Sequence, residues 1–311
     1  MIKYLHFFKF LLIVAFFGSN LSANAPIIDG IVNKDEWLNA NEYELELEVS
    51  PARNAPALLK TFAKIKHDEE NLYVAYRAFA NKDEIRATIR SRDTGWLEDY
   101  VGVVIDTFGD DRYAIALGVN ALGSQLDLKQ TPDDRDEDTS WNILFFAETS
   151  FTEYGYSAEF KIPFAELRYP DEEVQEWSIG FVRKSFEPGT QTIFADFTVY
   201  AQDQCFFCAT DEIYVIQDLE ETNRNYIYPY ITLNQIANRP IDNLKYQNPD
   251  YEIGVSGLLD LDENNTIEYT INPDFSQVEA DAAQILVNET FAVSLEERRT
   301  FFLEGTDLLD T

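Results

Sequence analysis

Histidine, methionine and cysteine are scarce in this sequence, with 2, 1 and 2 copies in 311 residues, and each scarcity closes off a chemistry. His67 is the one histidine beyond the N-terminal stretch, so a Ser-His-Asp relay would rest on a single imidazole in the turn-like run HDEEN. The two cysteines, Cys205 and Cys208, are spaced C-x-x-C within QDQCFFCATDE. Zinc would need two further ligands, and a redox role would need a thioredoxin-like βαβ context that is absent. The spacing instead reads as a disulfide that stiffens a local loop, since closing so short a loop gains little entropy. Basic residues are also few: 24 Lys and Arg face 56 Asp and Glu, for a net charge of −32. Such a charge repels nucleic acid and anionic lipid head groups and suits neutral ligands or divalent cations. A Gly-rich phosphate loop, a tandem repeat and a long helical period are missing as well.

Export is written at the N-terminus. Met1 to Ala25 carries Lys3 and Lys9 and no acid, has an apolar stretch from Phe10 to Phe17, and ends on Ser22, Ala23 and Ala25. The apolar stretch is too short to span a bilayer and fits a secretory signal peptide, 1–23, cleaved after Ala23. The rest of the chain then belongs in an oxidising compartment. Apolar residues make up 45% of the whole, enough for a sizeable core.

The chain is organised around WLEDYVGVVIDTFGDDRYAIALGVNALG, Trp96 to Gly123. Val101–Ile105 and Tyr113–Val119 are apolar runs separated by a Gly/Asp turn, which predicts a buried hairpin flanked by Asp99 and Asp106. Trp96 precedes the first strand, where a side chain either projects from a rim to meet a small ligand or plugs the end of a sandwich. Around this hairpin, strands are expected at Tyr43–Val49 (Leu45, Leu47 and Val49 inward), Leu58–Lys66, Leu72–Phe79, Trp141–Glu148, Tyr154–Ile162, Trp177–Lys184, Thr192–Tyr200 and Ile213–Gln217, with a helical turn over Pro163–Leu167. Asp29 and Gly30 shape an entry turn, and Trp37, Tyr73, Phe160, Trp177 and Phe181 belong to the core. Many short strands with turns between them predict an all-β, antiparallel two-sheet β-sandwich of jelly-roll type. The acidic run Asp133–Asp138 reads as a loop, either a solvated tip or a Ca²⁺ site built on Asp133, Asp134 and Asp136.

From about Asn223 the pattern changes. Tyr226–Leu233, Tyr251–Leu261 and Thr266–Ile271 alternate in polarity, are rich in Tyr and are separated by polar loops. Strands of this kind suit a transmembrane barrel as well as a soluble sheet. Three of them cannot close a barrel, so either the chain is the start of something longer or these strands stay out of lipid.

IIDGIVNKDEW, HDEENLYVAYRA, WLEDYVGVVID, YGYSAEFKIPFAEL and WSIGFVRKS, in that order, resemble the family 9 carbohydrate-binding modules across about Ile27–Gln217. INPDFSQVEADAAQ and RRTFFLEGTDLL look like the start of the domain of unknown function 5916, which is similar to outer-membrane β-barrels of Gram-negative bacteria. The resemblance implies three segments: signal peptide 1–23, module 24–219 and an incomplete barrel-like region 220–311. It implies glycan or polysaccharide as partner, the outer membrane as anchor through the C-terminal region, and a link to carbohydrate catabolism. In family 9 modules two Trp rings sandwich a terminal sugar beside a Glu and an Arg. Trp96 falls at the first ring's position, and Phe206 or Phe207 near the second's. Gly102 stands where the Glu is expected, and YAIALGVN lacks the Arg.

Three functions follow. The first is a non-catalytic carbohydrate-binding module serving an outer-membrane protein of glycan binding, uptake or degradation, with no cofactor beyond the Ca²⁺ considered above. The second is a structural domain on the barrel mouth that has lost sugar binding, which Gly102 favours. The third is an enzyme, a hydrolase of O-glycosyl bonds, for which no particular carboxylate pair stands out.

Overall fold

A computed structural model describes residues 25–272, apart from 111–113, 131–136, 140, 171, 187–188, 201–204, 209, 211, 218, 220–224, 235–236, 239–244, 247, 249 and 263–264. The signal peptide, the Ca²⁺ candidates Asp133, Asp134 and Asp136, and the stretch after Asn272 lie outside the described residues.

In chain order the strands are β1 (Asn41–Glu44), β2 (Leu47–Ser50), β3 (Ala55–Pro56), β4 (Thr61–His67), β5 (Asn71–Phe79), β6 (Tyr100–Asp106), β7 (Ala114–Asn120), β8 (Gln125–Gln130), β9 (Phe146–Thr152), β10 (Gly155–Pro163), β11 (Val174–Ser185), β12 (Thr192–Ala195) and β13 (Ile213–Gln217). After them come β14 (Asn225–Asn234), β15 (Ala237–Asn238), β16 (Lys245–Tyr246), β17 (Asp250–Asp262) and β18 (Asn265–Ile271). Single 3₁₀ turns at Lys82–Glu84 and Phe164–Glu166 are the helical pieces among the described residues. A five-stranded sheet, β1-β4-β5-β10-β9, faces an eight-stranded sheet, β3-β2-β12-β11-β6-β7-β8, with β13 added to β11. All the pairings are antiparallel. The fold is therefore a two-sheet antiparallel β-sandwich.

The interior follows from period-two alternation. Val101, Val103 and Ile105 of β6, Ile115, Leu117 and Val119 of β7, and Phe160, Tyr76 and Phe181 fill the space between the sheets. The alternate residues of the eight-stranded sheet, Tyr100, Val104, Ala116, Leu128 and Val182, form a second cluster on its outward face with Phe197, Phe207 and the two cysteines. Both faces of β6 and β7 are covered, which explains why these strands are continuously apolar. On the outward face of the five-stranded sheet, Trp37 packs on Tyr73 and Ala75. Its indole Nε1 donates to Glu159 Oε1 at 2.9 Å, while the Asp29 and Gly30 amides donate to Oε2 at 3.1 and 3.0 Å. Glu159 thus ties the N-terminal segment to β10.

Several expectations need correction. The strand expected over Trp141–Glu148 lies at Phe146–Thr152, with Ile143 and Phe145 entering the core ahead of it, and the one expected over Thr192–Tyr200 ends at Ala195. Tyr43–Val49 is not one strand: β1 ends at Glu44 in the five-stranded sheet and β2 begins at Leu47 in the eight-stranded one. The Leu45 amide donates to Thr61 O at 3.0 Å, and Glu46 O accepts from Ala57 at 2.7 Å, so neighbouring residues are held by different sheets. Leu45 enters the inter-sheet core, Val49 the outward cluster, and Leu47 is only half-buried. The structure also adds β8, which the sequence pattern does not single out; Leu126 and Leu128 face the outward cluster while Asp127 turns the other way to bind Arg92.

Beyond β13, β14, β17 and β18 form a separate three-stranded antiparallel sheet, and β15 pairs with β16. No closed barrel is formed among the described residues.

Candidate ligand site

Trp96 sits in a tight turn closed by the Glu98 amide donating to Gly95 O at 3.0 Å. The turn is clamped from beneath. Glu98, 7% exposed, accepts from the Thr88 amide at 3.0 Å, the Thr88 hydroxyl, Arg90 Nε at 3.0 Å and Asn120 Nδ2 at 2.8 Å. Burial alone would raise the pKa of this carboxyl, but the hydrogen bonds from Thr88, Arg90 and Asn120 outweigh it and hold the group at about 2. The adjacent Asp99 accepts from Ser185 Oγ at 2.8 Å and from the Arg86 amide at 3.0 Å. Burial raises its pKa despite those bonds. A further tether comes from β11, where Lys184 Nζ donates to Trp96 O at 2.7 Å and lies 5.8 Å from the Tyr100 ring. Lys184 is buried, and burial lowers its pKa.

The indole itself is half-buried, meets Tyr100 edge-on at 5.4 Å and packs against the outward cluster. Its Nε1 is buried and has no hydrogen-bond partner among the described residues. Trp96 therefore both closes the end of the outward cluster and keeps a partly open ring.

Phe206 and Phe207 lie on the same outward face. Cys205 and Cys208 are joined by a disulfide, and the Phe207 amide donates to Gln130 Oε1 at 3.0 Å. Gln130 pairs with Ala114 at one end of β7, whereas Tyr100 pairs with Asn120 at the other. The disulfide turn and the Trp96 turn thus cover opposite ends of this face. Phe207 is buried and Phe206 half-buried, their rings edge-on at 5.1 Å. Of the pair, Phe206 has the ring surface to offer.

Gly102 occupies the floor between them, opposite Gly118 on β7 and Val182 on β11. A Cβ at position 102 would stand 2.7 Å from Leu117 O and 3.2 Å from Gly118 Cα. Backbone fills the space into which an acid would project, so the close approach of β6 and β7 itself requires glycine here. The residues that sequence reasoning missed are those of the clamp: Thr88, Arg90, Glu98, Asn120 and Lys184. Glu98 and Asn120 carry no pattern that separates them from other polar residues; only tertiary contact reveals them.

Residues 222–311 match the model of a domain of unknown function, DUF5916. No curated protein matches the chain. Among solved structures, a carbohydrate binding module family 9 from Caldicellulosiruptor kristjanssonii in complex with cellotriose is 18% identical, with 60% of this chain and 87% of that chain covered and a TM-score of 0.44. The same organism's family 9 module in complex with glucose is 17% identical, with 62% and 91% covered and a TM-score of 0.45.

Proposed function

We infer that the sandwich is a non-catalytic carbohydrate-binding module of an exported protein whose C-terminal strands enter the outer membrane of a Gram-negative bacterium. The observation that carries the binding reading is Trp96, a partly open indole on a turn anchored by the hydrogen bonds of Glu98, Asp99 and Lys184. A sugar presents C–H groups to an aromatic plane and hydroxyls to its rim, and a rigid platform spares the entropy of ordering one. Gly102 supplies no carboxylate, which favours contact with a longer glycan over tight capture of one sugar. The same glycine supports the second reading, a structural domain without sugar binding.

The membrane reading is supported by the three-stranded sheet. Ile227 and Ile231 of β14, Ile253 and Leu259 of β17, and Ile267 and Ile271 of β18 share one face by register, and four of them are at least 65% exposed. An aliphatic face of this extent in water is a liability, whereas on a barrel it faces lipid. The Tyr226 hydroxyl donates to Glu166 at the end of the sandwich where β10 finishes, opposite the Trp96 end. In this reading Trp96 points away from the bilayer.

A glycan array probed with the chain lacking 1–23 tests the function. Binding to neutral oligosaccharides, stronger for longer chains, is expected; an array without signal above background contradicts it and leaves the structural reading.

A further inference from the structure

The outward face of the five-stranded sheet is covered only in part. Trp37 and the segment around it lie over Tyr73 and Ala75, and the end nearer Trp96 is more open among the described residues. Here Phe62 of β4, Arg77 and Phe79 of β5, and Tyr154 of the turn before β10 form a continuous half-exposed strip. Tyr154 stacks on Phe79 at 4.7 Å, Phe79 meets Phe62 edge-on at 6.0 Å, and the Arg77 guanidinium lies 5.2 Å from the Phe62 centroid. Glu42 of β1 completes it, pairing with Arg77 at 2.8 Å and Lys64 at 3.3 Å.

We propose that this strip is a second glycan-binding surface, for an extended neutral oligosaccharide lying across the strands. Four features carry the assignment. The strip crosses the adjacent strands β10, β5, β4 and β1, about 14 Å at ordinary strand spacing, which suits a chain of sugars rather than one ring. Its surface alternates aromatic rings with hydrogen-bonding groups, matching the C–H faces and hydroxyl rims of a saccharide. Glu42 bridges Arg77 and Lys64, leaving a single positive charge on the strip of a chain whose net charge is −32, which favours a neutral partner over a polyanion. Arg77 Nη2 and the Glu42 carboxylate supply donor and acceptor positions at 34% and 39% side-chain exposure.

The inference shares its ligand class with the function proposed above but uses different residues on the opposite sheet, so the two are separable. Calorimetric titration of the full chain with cellohexaose, xylohexaose, chitohexaose and maltohexaose would be compared for wild type, Tyr154→Ala, Phe79→Leu and Trp96→Ala. Phe79→Leu keeps apolar volume in case Tyr154→Ala disturbs the turn. For the best hexasaccharide, each strip variant is expected to weaken binding about five- to tenfold, as loss of one aromatic contact does, with Trp96→Ala leaving a measurable residual affinity. Binding removed by Trp96→Ala and untouched by both strip variants overturns the strip and keeps the Trp96 site. Binding lost in the strip variants and unchanged in Trp96→Ala keeps the strip and overturns the Trp96 site. No binding of any hexasaccharide to wild type overturns both.

Discussion

At the scale of single residues, the molecule uses buried carboxylates as structural ties, and two of them respond to pH with opposite sign. Burial pushes Glu159 up to about 7 from 4.5, against the hydrogen bonds from Trp37, Asp29 and Gly30. The folded chain then holds this proton up to about pH 7, while the unfolded chain releases it near 4.5. Folding takes up a proton in that window, so the contribution of Glu159 is complete below pH 4.5 and declines as pH rises toward 7. Glu98, held at about 2, behaves oppositely: its contribution is complete above 4.5 and is lost as pH falls toward 2. Urea unfolding from pH 4 to 8 should show Glu159→Gln destabilised by about 1–3 kcal/mol, because glutamine keeps one accepting oxygen and turns an NH2 toward the donors that the other oxygen served. The variant should also show a shallower decline toward pH 7, the remainder coming from Asp93 and Asp196, which burial likewise pushes up to about 7. An identical pH slope in both proteins would mean that Glu159 does not titrate there.

At the scale of elements, the β6–β7 hairpin is the part most plainly written in the sequence. Its two apolar runs and Gly/Asp turn could be located because both faces are covered, leaving no polar alternation to confuse the reading. Tyr73, Phe160, Trp177 and Phe181 were legible as core because large apolar side chains on strands have few other places to go, and Trp37, in the turn before β1, because an indole of that size is seldom left in water. The break between β1 and β2 was not legible. A run of seven alternating residues looks the same whether it stays in one sheet or changes sheets at its middle, and only the partners of Leu45 and Glu46 decide. The clamp under Trp96 was hidden for a related reason, since Thr88, Glu98 and Asn120 are brought together from three separate segments. Gly102 is an intermediate case: its identity was visible, its cause was not. Gly102→Ala should cost about 1–3 kcal/mol, because the new methyl meets Leu117 backbone rather than a movable side chain. Gly102→Glu should destabilise more and gain no sugar affinity. Thermal unfolding and a glycan titration of the two variants check this, and a Glu variant of wild-type stability with increased affinity would contradict it.

At the scale of the whole molecule, the sandwich places its two extensions at opposite ends. The Trp96 turn lies where β6 begins, and β13 leads from the other end toward the three-stranded sheet. Among the described residues, none of that sheet belongs to the inter-sheet core, so removal of residues 220–311 should leave a chain that unfolds in one cooperative transition. Loss of the Tyr226–Glu166 hydrogen bond costs about 1 kcal/mol. Coincident far-ultraviolet and tryptophan-fluorescence transitions on heating would bear this out, and a shortened chain that melts without cooperativity would show that the C-terminal strands are integral to the fold.

The central claim, that Trp96 is the contact residue of a glycan-binding module, is tested most directly by isothermal titration of wild type and Trp96→Ala with the strongest glycan from the array. The account predicts a loss of affinity of about tenfold or more in Trp96→Ala, since a half-buried indole loses both its stacking face and its place over Tyr100. Equal affinities in the two proteins, both folded, would contradict it.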